Sequence, residues 1–187
     1  MDHRRAVTIS KFLSLVLRHQ PEVIDLQLDS GGWADVDELL QKCARAGRHF
    51  TKQELLGVVE TNSKQRFAFS ANGKLIRASQ GHSIAVDLGY EPIEPPTYLW
   101  HGTARRFLGS IFEQGLLKMN RQHVHLSAEL STAYDVGTRH GSPVVFRVRA
   151  GDMYVDGYHF FLSANKVWLT DWVPVKYLQK EPDGRKS

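Results

Sequence analysis

Cysteine is nearly absent from this chain of 187 residues. Cys43 stands alone, which excludes an internal disulfide and a cysteine-rich zinc site. No apolar run reaches the roughly 18 residues that a membrane-spanning helix needs, so no membrane is expected as a partner. The opening residues, Met1-Asp2-His3-Arg4-Arg5, lead into an amphipathic segment instead of the apolar core of a signal peptide. The expectation is a cytoplasmic, monomeric protein. Charge of one sign is also scarce: 24 Lys and Arg stand against 20 Asp and Glu, a net charge of +4. Residues 1–84 carry +3 of this and residues 85–187 carry +1. A non-specific nucleic-acid binder has a larger excess, so any nucleic acid would be met by a few placed arginines. There is no G-x-G-x-x-G and no P-loop pattern, so a dinucleotide would have to bind without the Rossmann phosphate turn.

Proline is sparse but concentrated. Three of the seven fall in Glu91-Pro92-Ile93-Glu94-Pro95-Pro96, which reads as an extended linker over residues 85–96. The expected division is 1–84, linker, 97–187. In the first part Ile9, Phe12, Leu13, Val16 and Leu17 follow helical spacing, with Thr8 as N-cap and Pro21 as stop. Asp35 caps a second helix carrying Val36, Leu39 and Leu40, closed by Gly47. Thr51-Lys-Gln-Glu54 is a capping-box pattern for a third. Residues 66–70 and 74–78 then flank Ala71-Asn72-Gly73, a strong hairpin signal. Three short helices before a hairpin form a winged-helix pattern. The second part is strand-rich, with candidates at 98–101, 123–127, 144–149, 160–162 and 167–169, and helices at about 104–114 and 131–137. The mixed order predicts an α+β fold.

The most informative stretch is Arg121-Gln122-His123-Val124-His125-Leu126-Ser127. Along a strand, Arg121, His123, His125 and Ser127 share one face while Val124 and Leu126 share the other. An apolar face backing a row of cationic and hydrogen-bonding groups without a carboxylate suits an anionic ligand. His123 and His125 at i, i+2 also admit a metal reading, but Arg121 on the same face repels a dication and no third ligand is near in sequence; no metal is expected. His101-Gly102-Thr103 reads as the end of a strand before a helix. Gly102 there permits close approach of a ligand to the backbone, and Thr103 is also a natural N-cap. Arg18-His19 closes the first helix, either as cations at the negative end of the helix dipole or as a two-residue anion clamp. Lys64-Gln65-Arg66 is either a solvated basic strand edge or a nucleic-acid backbone contact. Arg139-His140-Gly141 follows a helix. Gly81-His82 is readable as turn chemistry. Trp100, Phe146, Phe160, Phe161 and Trp168 are candidate core aromatics, one of them free to stack on a base.

Taken in order, several stretches resemble one family. These are Ser10–Ser14 through Leu17-Arg18-His19-Gln20-Pro21, Gly31-Gly32-Trp33, Lys64–Phe67, Ile76–Ser83, His101-Gly102-Thr103, Arg121–Ser127, and Phe160-Phe161-Leu162 with Val167-Trp168. Each is weak alone; together they are similar to the RNA 2′-phosphotransferases, the class named for tRNA 2′-phosphotransferase of tRNA splicing. The resemblance implies a winged-helix-like N-terminal lobe that receives the RNA 2′-phosphate and a C-terminal lobe with the ADP-ribosyltransferase split sheet. It implies Arg18, His19, Arg66 and Arg121 as the catalytic set, joined by Lys64 in binding RNA phosphate. His101, Gly102, Thr103, His125, Ser127 and Arg139 are the implied contacts to NAD, consumed as co-substrate. Where better-known ADP-ribosyltransferases have a catalytic glutamate, the matching strand offers Val167, which argues against protein ADP-ribosylation.

The implied reaction removes an internal 2′-phosphate. That phosphate attacks the nicotinamide ribose of NAD, expels nicotinamide and forms an ADP-ribosylated RNA intermediate. Attack by the ribose O2″ on phosphorus then releases 2′-OH RNA and ADP-ribose 1″,2″-cyclic phosphate. Arginines suit the charge that builds on the phosphoryl oxygens, and His19 either binds phosphate or transfers a proton. Three alternatives remain. One is an ADP-ribosyltransferase that caps nucleic-acid terminal phosphates. Another is a winged-helix DNA-binding regulator, and the third a metal-dependent hydrolase using His123 and His125.

Overall fold

A computed structural model describes residues 2–139 and 141–182. His140, within the Arg139–Gly141 stretch, lies outside the described residues. The fold is α+β. The chain divides into two units, Met1–Gly89 and Tyr90–Ser187, each with its own apolar core.

In the first unit α1 (His3–Arg18) buries Ile9, Leu13, Val16 and Leu17 on one face. Full burial of each such aliphatic side chain contributes about 1.5–3 kcal/mol. Thr8 is not the N-cap. Nothing in His3–Val7 breaks a helix, so α1 begins at His3 after Asp2, and the Thr8 hydroxyl donates to the Arg4 carbonyl inside it. The first helix is therefore 16 residues long, not short. It ends at Arg18, and Pro21 opens a 3-10 turn, Pro21–Ile24.

A two-residue strand β1 (Ala34–Asp35), too short to leave a periodicity, precedes α2 (Val36–Arg45). Asp35 caps α2 by accepting from the Glu38 N–H. Thr51 and Glu54 form the expected capping box on α3 (Lys52–Glu60). The hairpin β2 (Phe67–Phe69) and β3 (Leu75–Ala78) pairs Phe67 with Ala78, turning at Gly73 with φ of +67°. The sheet order is β1-β3-β2.

In the second unit β4 (Leu99–Ala104) runs past the expected end. The 3-10 turn Arg105–Phe107 leads into α4 (Leu108–Gln114), closed by Gly115. Thr103 is consequently not a helix N-cap. His101-Gly102-Thr103 lies inside a strand, paired with Phe146, Val145 and Val144. Then follow β5 (Leu116–Leu117), β6 (Val124–Leu126), α5 (Leu130–Thr138), β7 (Pro143–Val148) and α6 (Ala150–Val155). The chain finishes with β8 (Phe161–Leu162), β9 (Trp168–Thr170), β10 (Trp172–Val173), the 3-10 turn Val175–Tyr177 and β11 (Leu178–Lys180).

Two three-stranded antiparallel sheets result, β11-β7-β4 and β6-β9-β8, with a β10-β5 pair beside them. A bridge ties the larger sheets: the Trp100 N–H donates to the Ser127 carbonyl (2.9 Å) and the Ser127 N–H to that of Trp100 (2.8 Å). Phe146, Phe160 and Trp168 are core residues, while Trp100 and Phe161 are half-buried.

Candidate active site

In the first unit the candidate residues gather where α1 ends. The Arg18 guanidinium donates to the Arg66 carbonyl at 3.2 Å and lies 5.7 Å from the centre of the Phe67 ring. These contacts join the helix C-terminus to the start of the hairpin. Arg66 itself is half-buried and its carbonyl also accepts from the Ser79 N–H. Lys64 is exposed two residues upstream, in a turn that Asn62 closes by accepting from the Lys64 N–H. Gln65, between them, has a φ of +42°. That left-handed backbone is uncommon for a side chain of this size.

Ser83, which the motif reading left outside the candidate set, holds His19. Its hydroxyl lies 2.9 Å from His19 Nδ1, and its N–H donates to the Arg18 carbonyl. The signal was present in the Gly81-His82-Ser83 stretch but looked like a turn, and Gly81 does turn there with φ of +86°. His82 is buried behind this corner, and neither ring nitrogen has a hydrogen-bond partner among the described residues. Burial, aided by the charges of Arg18, His19 and Arg77, pulls its pKa down to about 4. It is a neutral imidazole at pH 7.

In the second unit the alternation holds over β6, with Val124 and Leu126 buried and His125 half-buried between them, but residues 121–123 are bends, so the strand is shorter than expected and does not carry Arg121 and His123 on its face. Arg121 stands in a turn before the strand, where one guanidinium nitrogen is 3.1 Å from His125 Nδ1. Arginine can only donate, so His125 Nδ1 accepts, and the ring hydrogen sits on Nε2. His125 is thus a neutral donor in this geometry and not one more cation in the row. His101 Nδ1 lies 3.0 Å from the His125 carbonyl, an acceptor, which puts hydrogen on His101 Nδ1; in the neutral ring Nε2 is then the acceptor. The order Arg121–His125–His101 is therefore one chain of polarised contacts set just past the Trp100–Ser127 bridge. His123 turns to Phe161, its ring centre 5.6 Å away, and burial lowers its pKa.

Gly102 has a packing role. A Cβ there would stand 1.6 Å from the Ala133 carbonyl oxygen, so the backbone that approaches it is α5. Thr103 is buried alongside. Arg139 is exposed at the C-cap of α5, and among the described residues no side-chain bond ties it to the His101–His125 pair. The indole Nε1 of Trp100 is buried without a hydrogen-bond partner among the described residues.

Residues 4–172 match the model of the family described as RNA 2′-phosphotransferase, Tpt1 / KptA family. The chain is 54% identical over 179 residues to a protein of Flavobacterium johnsoniae, covering 96% of this chain and 98% of that one. It is 56% identical over 169 residues to one of Hahella chejuensis, covering 90% and 91%. It is 55% identical over 174 residues to one of Agrobacterium fabrum, covering 93% and 94%. All three carry the name "Probable RNA 2′-phosphotransferase".

Proposed function

Because this chain belongs to the RNA 2′-phosphotransferase, Tpt1 / KptA family, we propose that it removes an internal 2′-phosphate from RNA and that NAD is the acceptor. The observation that carries the reading is the corner at the end of α1, where Arg18 and His19 are fixed against the Arg66 carbonyl and Ser83. An anion receives there a guanidinium suited to bidentate binding, at a helix terminus whose dipole favours cations. Arg18, His19, Lys64 and Arg66 bind the 2′-phosphate. Arg121 stabilises charge on the phosphoryl oxygens during transfer, as preorganised donors do.

On this reading the first unit is a winged-helix-like lobe and the second an ADP-ribosyltransferase-like one. The second offers a polar set suited to NAD: His101 Nε2 to accept, His125 Nε2–H and Ser127 to donate, and the indole N–H of Trp100, without a partner among the described residues. Gly102 and Thr103 build the strand that carries His101, and Arg139 serves as a further cation for phosphate. NAD supplies an activated ribosyl carbon with nicotinamide as leaving group. The protein aligns the 2′-phosphate with that carbon, a role in which positioning dominates. No general base is required, because the phosphate is already anionic; His19 instead offers Nε2 to a phosphoryl oxygen.

Incubation with NAD and a short RNA bearing one internal 2′-phosphate tests the proposal. Release of nicotinamide in step with loss of the phosphate, and formation of a cyclic ADP-ribose phosphate, is the expected result. RNA trapped as an ADP-ribosyl adduct would favour a transferase that stops after one step. No turnover by folded protein would remove the NAD reading.

A further inference from the structure

Helix α1 carries Arg4, Lys11 and Arg18 at intervals of seven residues. Seven residues return a side chain to within about 20° of its starting direction and advance it about 10 Å. The three cations therefore form one stripe that ends at the proposed phosphate site. Arg4 and Lys11 are exposed. Beside the stripe lies an open groove of about 600 Å³, walled by α1 and by the turn at residues 47–50. Its size is within the range that holds a small ligand or one nucleotide.

The chemistry of the groove is one-sided. Arg5, Lys11, Arg48 and His49 line it, together with the rings of Phe12 and Phe50, and no carboxylate does. Arg5 is committed to structure: it pairs with Glu54 and donates to the His49 carbonyl, which fixes the turn and neutralises the nearby acid. Lys11 and Arg48 remain exposed toward solvent, and the Arg48 guanidinium sits 5.4 Å from the centre of the Phe12 ring. Cations that follow a backbone, set beside aromatic faces on which a base can stack, are the pattern of a single-stranded nucleic-acid groove. An acidic peptide would use the charges but not the rings.

We propose that this groove binds the single-stranded RNA flanking the 2′-phosphate, with phosphodiesters on Lys11 and Arg48 and a base against Phe12 and Phe50. The inference rests on the reading that Arg18 receives the 2′-phosphate. Lys11 is about 10 Å along the helix from Arg18, roughly three nucleotide rises of a stacked strand at about 3.4 Å each. A trinucleotide centred on Arg18 extends one nucleotide to either side and stops short of Lys11, whereas a dodecamer passes it.

The test compares a 12-nucleotide RNA with a trinucleotide, each bearing one central 2′-phosphate, by fluorescence anisotropy over a salt series and by turnover. The proteins are the wild type and the double variant K11A/R48A. For the 12-mer, the variant's slope of log affinity against log salt is expected to shrink by about 1.4, the value for two lost single-strand phosphate contacts. Its affinity should fall roughly tenfold, while trinucleotide binding and turnover stay within twofold of wild type. Unchanged 12-mer affinity and slope would overturn the proposal. So would equal losses on both RNAs, which would put Lys11 and Arg48 at the 2′-phosphate itself. Displacement of the 12-mer by polyglutamate more readily than by unmodified RNA of equal charge would assign the groove to a protein and also overturn it. Failure of the wild type to dephosphorylate the trinucleotide would strike the proposed function instead, and the 12-mer salt slope would still decide the groove.

Discussion

Ser83 holds His19 from both ends of one residue: its hydroxyl is 2.9 Å from His19 Nδ1, and its N–H donates to the carbonyl of Arg18. Residues 18 and 83 are 65 positions apart, so the strand β3 and the Gly81 turn exist, in part, to bring the chain back to the end of α1. His19 is exposed and has left helical geometry, with φ of −127°. Without the Ser83 hydroxyl the ring would lose its contact at Nδ1. With Ser83 on Nδ1, the ring presents Nε2.

Replacing Ser83 by alanine is expected to lower turnover by about 3–10-fold, the kinetic equivalent of one net hydrogen bond. The thermal midpoint should hardly move, because the Ser83 N–H contact to Arg18 survives. The readout specific to positioning is the pH–rate profile between pH 5 and 8, which should change in Ser83→Ala and return in Ser83→Thr. A profile identical to wild type in the alanine variant would deny Ser83 this role.

Much of this architecture is legible before any coordinates. Asp35, the Thr51–Glu54 capping box and the Asn72-Gly73 turn act within four residues of themselves, so the local sequence states them fully. What is not legible is the tertiary contact. Gly102 looks like a place for a ligand because glycine reports only that something comes close; which backbone comes close is settled by α5, some 30 residues later. Thr103 has the composition of an N-cap, but six ladder pairs with β7 carry the strand through it. The alternation at Val124 and Leu126 was readable; that Arg121 would donate to His125 and make it a neutral donor was not, since it depends on the fold of the preceding turn.

Gly102→Ala and Gly109→Ala should move stability in opposite directions. The new methyl at 102 meets the Ala133 carbonyl oxygen at 1.6 Å and its carbon at 2.6 Å, and a helix backbone cannot yield as a side chain does. Loss of about 3 kcal/mol or more is expected. At Gly109, exposed within α4, a Cβ meets nothing within 4 Å. Alanine there should gain up to about 1 kcal/mol from helix propensity. Thermal melts of both variants decide this. A Gly102→Ala protein with the wild-type midpoint would mean that α5 sits elsewhere.

Arg66→Ala and Arg121→Ala are each expected to reduce kcat by about 10²–10³-fold on a 2′-phosphorylated RNA, the loss seen when one charge-stabilising donor is removed. The two should differ in a second readout. Arg66→Ala should also weaken RNA binding. Arg121→Ala frees His125 Nδ1 from its donor, so the His125 ring should change tautomer, visible in its 15N chemical shifts. Wild-type rates in either folded variant would remove that arginine from the proposed set.

The buried His82 makes the first unit sensitive to acid. Its pKa of about 4 in the fold is set first by burial and then by the charges of Arg18, His19 and Arg77, against about 6.5 in an unfolded chain. Between those values the unfolded chain binds a proton that the folded one refuses, so stability rises with pH across the window and is lost on acidification. At pH 5 the loss from this one group is about 2 kcal/mol relative to pH 7.5. Hydrogen exchange at the core amides of Leu13 and Ile76, both fully buried, reads the opening free energy of this unit. Wild type should lose about 2 kcal/mol more between pH 7.5 and 5 than His82→Leu, in which other titrating groups are unchanged and cancel. Two equal pH slopes would mean that His82 takes up its proton in the folded state as readily as in the unfolded one, and that a partner for its ring nitrogens is present in solution.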